Sequence, residues 1–103
     1  LALLATETLP EEFALHQNYP NPFNPTTTIE FDLPVSTDIR IVVFNLLGQE
    51  VARLLDQRLE AGYHQLVWNG RDVGGRTVPT GMYIVMLRGA PGHTKSIKVL
   101  LLK

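Results

Sequence analysis

The chain has 103 residues, a net charge of −1 and no cysteine. That length supports one hydrophobic core, because a domain of this size hides roughly 60–70% of the surface its unfolded chain exposes. At 45% hydrophobic and 18% charged it is not a disordered tail. Nine Lys and Arg against ten acids leave no basic surplus for a phosphate backbone, so nucleic acid is not expected as a partner. Without cysteine, disulfides, thiolate catalysis and zinc–thiolate sites are excluded.

In chain order, Leu1-Ala2-Leu3-Leu4-Ala5 is too short for a secretory h-region and has no basic segment before it, so residues 1–10 read as a linker remnant. No run reaches the ~20 apolar residues of a membrane helix, and direct membrane insertion is not expected. Phe13 to Gln17 is expected as a short opening strand. The prolines of the segment from Asn18 to Pro25 force extended geometry, excluding a central strand. Tyr19 and Phe23 are expected to pack down as anchors there, while the Asn side chains satisfy local backbone groups. Thr27 to Leu33 alternates Ile29, Phe31 and Leu33 with Thr28, Glu30 and Asp32, one face to a core and one to water. Pro34 ends it.

Ile39 to Phe44 is nearly all apolar, as suits a strand covered on both sides or in mid-sheet. Gly48 suits the positive φ of a bulged hairpin, and Glu50 to Leu55 follows as a strand. Because Val51, Leu54 and Leu55 stand at helical spacing, a helix over 50–59 stays open as the alternative. Tyr63 to Trp68, Met82 to Leu87 and Thr94 to Leu102 complete seven strands. No room is left for the crossover helices of a parallel sheet. The prediction is an all-β, seven-stranded antiparallel β-sandwich over residues 11–103. Its expected core is Ile29, Phe31, Ile41, Val43, Val51, Leu66, Trp68, Tyr83, Val85, Ile97 and Val99.

Catalytic motifs are scarce. His16, His64 and His93 lie far apart, with no second ligand at metal spacing on the same strand face. Neither Ser36 nor Ser96 sits in a nucleophile elbow. Glu11 and Glu12 are adjacent and point apart in an extended chain. The loop from Gly70 to Arg76 matches neither a dinucleotide fingerprint nor a P-loop, and a turn-rich connection is the plainer reading. Asn69 and Asp72 leave open a weak calcium site within 69–80, though acidic ligands are few. No enzyme activity, metal or cofactor is expected.

The run Phe13-Ala14-Leu15-His16-Gln17-Asn18-Tyr19-Pro20-Asn21-Pro22-Phe23-Asn24-Pro25-Thr26-Thr27-Thr28-Ile29 resembles the opening of the C-terminal sorting domain, type A, of the bacterial type IX (Por) secretion system. The resemblance continues through Val43 to Val51, Ala61 to His64, Trp68-Asn69-Gly70, Val78 to Tyr83, and Lys95 with Lys98 to Lys103. Departures at Phe44, Thr80 and Met82 are conservative in size.

The resemblance implies an Ig-like sandwich that serves as an address without catalysis. Its implied partners are an N-terminal cargo domain of the same polypeptide, an outer-membrane translocon, and a sortase-like peptidase that removes the domain and attaches the cargo to the cell surface. It implies passage through the periplasm, then the cell surface or secretion. Recognition candidates are Tyr19, Pro20, Asn21, Pro22, Phe23, Asn24, Pro25, Gly81, Tyr83, Lys95, Lys98 and Lys103. The final strand leads among them, since lysines punctuate an apolar run; an edge strand guarded by lysines is the plainer reading. The rival class is an Ig-like surface binding module for carbohydrate or adhesion, which requires exposed aromatics such as Tyr19 and Tyr63.

Overall fold

The computed structural model describes residues 8–103, so most of the expected linker lies outside the described residues. Seven strands form: β1 (Ala14–Leu15), β2 (Thr27–Leu33), β3 (Thr37–Phe44), β4 (Glu50–Leu59), β5 (Gly62–Trp68), β6 (Gly81–Gly89) and β7 (His93–Leu101). They pair antiparallel in two sheets, of order β1-β2-β5 and β4-β3-β6-β7. The expected sandwich is the one observed.

Period-two patterning sets the core. On β2, Ile29, Phe31 and Leu33 are buried while Thr28, Glu30 and Asp32 are only half-buried. Ile39, Ile41 and Val43 on β3 meet them from the other sheet, with Tyr83, Val85 and Leu87 on β6 and Val99 and Leu101 on β7. Trp68 closes one end at 1% exposure. Its ring lies edge-on to Tyr83 at 5.7 Å and tilted against Phe23 at 5.4 Å, and its indole N–H donates to Arg71 O.

The structure corrects the sequence reading in four places. The opening strand shrinks to two residues: after a bond from His16 N to Glu30 O the pairing with β2 is interrupted while Gln17 reaches across to Lys98 O, and it resumes only as an isolated antiparallel bridge of Tyr19 with Thr28. The open helix over 50–59 is a strand of ten residues. Its register against β3 slips between Ile41 and Val42 and again between Val43 and Phe44, leaving Leu54 and Val51 without a counterpart. Each bulge inserts one residue and resets the alternation, so apolar side chains at helical spacing all reach the core edge from a strand. Third, Val51, Leu66 and Ile97 are half-buried supports, whereas Phe23, Leu33, Ile39, Leu87 and Leu101 belong to the buried core. Fourth, Tyr19 is no anchor, being 50% exposed.

The β3–β4 turn follows expectation. Gly48, at φ +82°, donates its N–H to Asn45 O, and Asn45 Oδ1 accepts from Leu47 N and Gln49 N. On the sheet's outer side the β3–β4 ladder carries exposed pairs Arg58–Asp38 (3.7 Å) and Arg40–Asp56 (3.7 Å), each worth about 0.2–1 kcal/mol at most.

Trp68→Ala, which removes the hub of the aromatic cluster, is expected to cost about 3–5 kcal/mol in denaturant unfolding; a loss below about 1 kcal/mol contradicts that role.

Candidate recognition surface

The proline segment is bound to the last strand. In β7 the even-numbered residues turn their backbone groups away from β6, and residues 17–23 occupy part of that edge. Phe23 N donates to Leu100 O (2.9 Å) and Leu102 N to Phe23 O (3.1 Å). Asn21 Oδ1 accepts from Leu100 N (2.9 Å), and Gln17 Nε2 donates to Lys98 O (2.8 Å). Phe23 and Leu101 thus form a parallel bridge, and the 1%-exposed Phe23 ring fills the space beside Trp68.

A buried polar knot sets the segment's path. Asn18 Nδ2 donates to Thr27 Oγ1 (2.8 Å) and Pro20 O (3.2 Å), and Thr27 Oγ1 donates to Pro20 O (2.9 Å). Asn18 and Thr27 are 3% and 1% exposed, so these bonds replace water that cannot reach them. The proline run foretold Asn–backbone bonding; it did not single out Thr27, whose partner lies nine residues away.

Most recognition candidates converge here. Pro20, Asn21, Pro22, Asn24 and Pro25 are exposed along the segment. Gly81 stands opposite Leu101 in the β6–β7 register, and exposed Lys98 precedes the bridge on β7. The exposed Lys103 is tied down where its N–H donates to Thr80 Oγ1 (3.1 Å). Leu102 and Met82 add apolar surface at 44% and 37% exposure. Four candidates stand apart, Tyr19 among them on the outer face of the three-stranded sheet. Phe23 and Tyr83 are buried, shaping the surface from beneath. Lys95 pairs with Leu87, six residues and about 20 Å of strand from the bridge.

Tyr83 donates its hydroxyl to Pro79 O (2.6 Å), and burial pushes its phenol above the usual value. Tyr19 lies on the outer face of the three-stranded sheet, where its hydroxyl donates to Glu30 Oε2 (3.0 Å). That hydrogen bond first, then desolvation and the Glu30 charge, also raise its phenol.

Elsewhere the chemistry is sparse. His16, isolated in sequence, meets Asp32 across the strand pair at 2.8 Å. His64 bonds Glu60 O and stacks on Phe31, and His93 stacks on Phe13. Among the described residues no three His, Cys, Asp or Glu gather at a metal-sized site. The two oxygens considered for calcium cap their own loop: Asp72 Oδ1 accepts from Gly74 N and Arg76 N, and Asn69 Oδ1 from Arg71 N.

The FlgD Ig-like domain model matches residues 20–91. The chain belongs to that family. No curated protein matches it. Among solved structures it is similar to dimeric latent PorU from Porphyromonas gingivalis (TM-score 0.69, 13% identity, 96% of this chain and 10% of that one). It is similar to FlgD from P. aeruginosa (0.58, 26%, 74% and 60%). It is also similar to PorZ, an essential bacterial surface component of the type IX secretion system of P. gingivalis (0.56, 19%, 88% and 11%). The chain therefore spans about a tenth of PorU and of PorZ, and 60% of FlgD. The Ig-like sandwich is the common element. The family match ends at Pro91, so β7 lies beyond it.

Two outcomes test this arrangement. Phe23→Ala is expected to cost about 3–5 kcal/mol, against under about 1 kcal/mol for the exposed Tyr19→Ala; equal costs in urea unfolding would refute the division. Tyr83 should also give the fold an alkaline limit. A raised phenol pKa stabilises the fold fully below the unfolded value of 10.0, and that stability is lost as pH rises past the folded value. A pH series of unfolding curves should show this decline weakened in Tyr83→Phe.

Proposed function

We propose that the chain is a non-catalytic sorting domain that directs a larger cargo protein across the outer membrane by the type IX secretion system. Its partners are the N-terminal cargo, the translocon, and a sortase-like peptidase that cleaves the domain and attaches the cargo at the surface. The observation that carries the reading is the hydrogen-bonded union of the proline segment with the end of β7. An address without chemistry needs a surface whose shape the fold fixes, and here two sequence-distant motifs form one such surface. The likeness of the fold to PorZ, a component of that system, supports it.

The rival binding-module reading has its exposed aromatics, Tyr19 at 50% and Tyr63 at 65%. They are not one stacking platform: by register Tyr19 sits beside Thr28 and Tyr63 beside Asp32, about 13 Å apart along β2 with Glu30 between.

The test fuses the chain to a periplasm-stable reporter in a bacterium with this secretion system. Deleting Leu101-Leu102-Lys103 is uninformative, since Leu101 is core at 2% exposure and its loss unfolds the signal. Charge reversal at Lys98 with Lys103, both exposed, leaves the core untouched. The expected result is a folded reporter retained in the periplasm, while reversal at the distant Lys95 exports normally. Normal export of the Lys98/Lys103 variant, with its unfolding curve unchanged, sinks the claim that this surface is read.

A further inference from the structure

Positive charge is confined to one side of the sandwich. No Lys or Arg occurs before Arg40, and none lies between Arg58 and Arg71, so β1, β2 and β5 carry no cation. Their outer face presents Glu30 and Asp32, two apart on β2 and about 7 Å from each other, flanked by Tyr19 and Tyr63. The carboxylates' side-chain partners are a phenol and an imidazole, Tyr19 and His16.

The outer face of the four-stranded sheet carries both signs with cations in surplus, Arg40, Arg53, Arg58, Arg88 and Lys98 against Asp38, Glu50 and Asp56. Arg40 and Arg88 stand directly opposite each other on β3 and β6, an arrangement of like charges that disfavours the sheet. Arg40 has Asp56 at 3.7 Å, while Arg88 has no carboxylate within 4.0 Å among the described residues. Below the pair lies a cleft of about 90 Å³ lined by Val42, Phe44, Met86 and Glu50, the last engaged with Arg53 at 3.3 Å. Ile84 and Met82 continue the apolar surface along β6.

We propose that these two faces bind each other between copies of this chain. The occupant of the arginine face is the three-stranded sheet of a second copy. Glu30 and Asp32 would meet Arg40 and Arg88 as two charge-assisted pairs, and the tyrosines would lie on the apolar cleft and the guanidinium planes. The contact is heterologous, one face to the other, so each copy keeps a free face of each kind and assembly stays open. It does not depend on the sorting reading.

Sedimentation velocity from about 10 μM to about 1 mM tests it. At low salt the weight-average mass should climb with concentration past the dimer. It should return to the monomer near 0.5 M salt, where charges more than about 4–5 Å apart are screened. Glu30→Lys/Asp32→Lys should be monomeric alone, as should Arg40→Glu/Arg88→Glu; Tyr63→Lys serves as a second acidic-face variant should the first not fold. Mixed, the two charge-reversed variants offer one intact and one charge-swapped pair of complementary faces, so assembly absent from either alone should return. A wild type monomeric throughout overturns the proposal. So does a plateau at the dimer, which indicates symmetric edge pairing, or a variant mixture that stays monomeric.

Discussion

The fold depends on one short contact, the pairing of Phe23 with the outer edge of β7. The two sheets share no strand, and a sandwich open at the end where Trp68 sits would wet the largest side chain of the core. Phe23 prevents this twice over. Its backbone donates and accepts across Leu100 and Leu102, and its ring enters the space beside Trp68. Prolines on either side make that outcome specific. Pro20, Pro22 and Pro25 have no N–H to give, so of residues 20–25 only Asn21, Phe23 and Asn24 could donate to a strand edge. The segment's backbone consequently pairs with the edge only at Phe23, with side chains of Gln17 and Asn21 meeting it elsewhere, rather than continuing as an eighth strand.

The same contact protects an edge. A last strand with a free row of backbone groups invites pairing with other chains. Here Gln17, Asn21 and Phe23 cover the edge from Lys98 onward, and the exposed Lys95 and Lys98 discourage approach along the uncovered part. β4, at the opposite edge, is guarded by its two bulges and by alternating Arg and acidic side chains. With the edges managed in these ways, the sheet faces remain as the broad surfaces, and they differ in charge because the cations all follow residue 39.

The family match and the recognition surface divide the chain differently. The Ig-like family model takes residues 20–91, which supplies both sheets except β1 and the last strand. The surface built by the proline segment requires β7, outside that match. A shared sandwich therefore says little about what this chain does, since folds host unrelated functions and the site carries the argument. In this chain the final strand frames Asn21, Pro22 and Phe23, the surface on which the functional reading rests.

Sequence alone determined the class of fold, the seven strands, and many of the inward positions, because strict alternation over β2 leaves each side chain only two faces to choose between. The wholly apolar run from Met82 to Leu87, by contrast, does not mark its inner face. It also pointed to the proline segment, since prolines so closely spaced can form neither helix nor central strand. The strand expected from Glu50 is borne out. The helical spacing in β4 kept a helix open beside it, because bulges are pairing irregularities decided by β3 and leave in β4 itself a pattern a helix would share. Tyr19 and Phe23 looked equivalent, each an aromatic residue beside prolines. Only the tertiary structure separated them: Asn18 and Thr27 turn the chain so that Phe23 faces Trp68 while Tyr19 faces water and Glu30. Which sequence-distant residues share a surface depends on strand order and register, and local patterning carries no information about either.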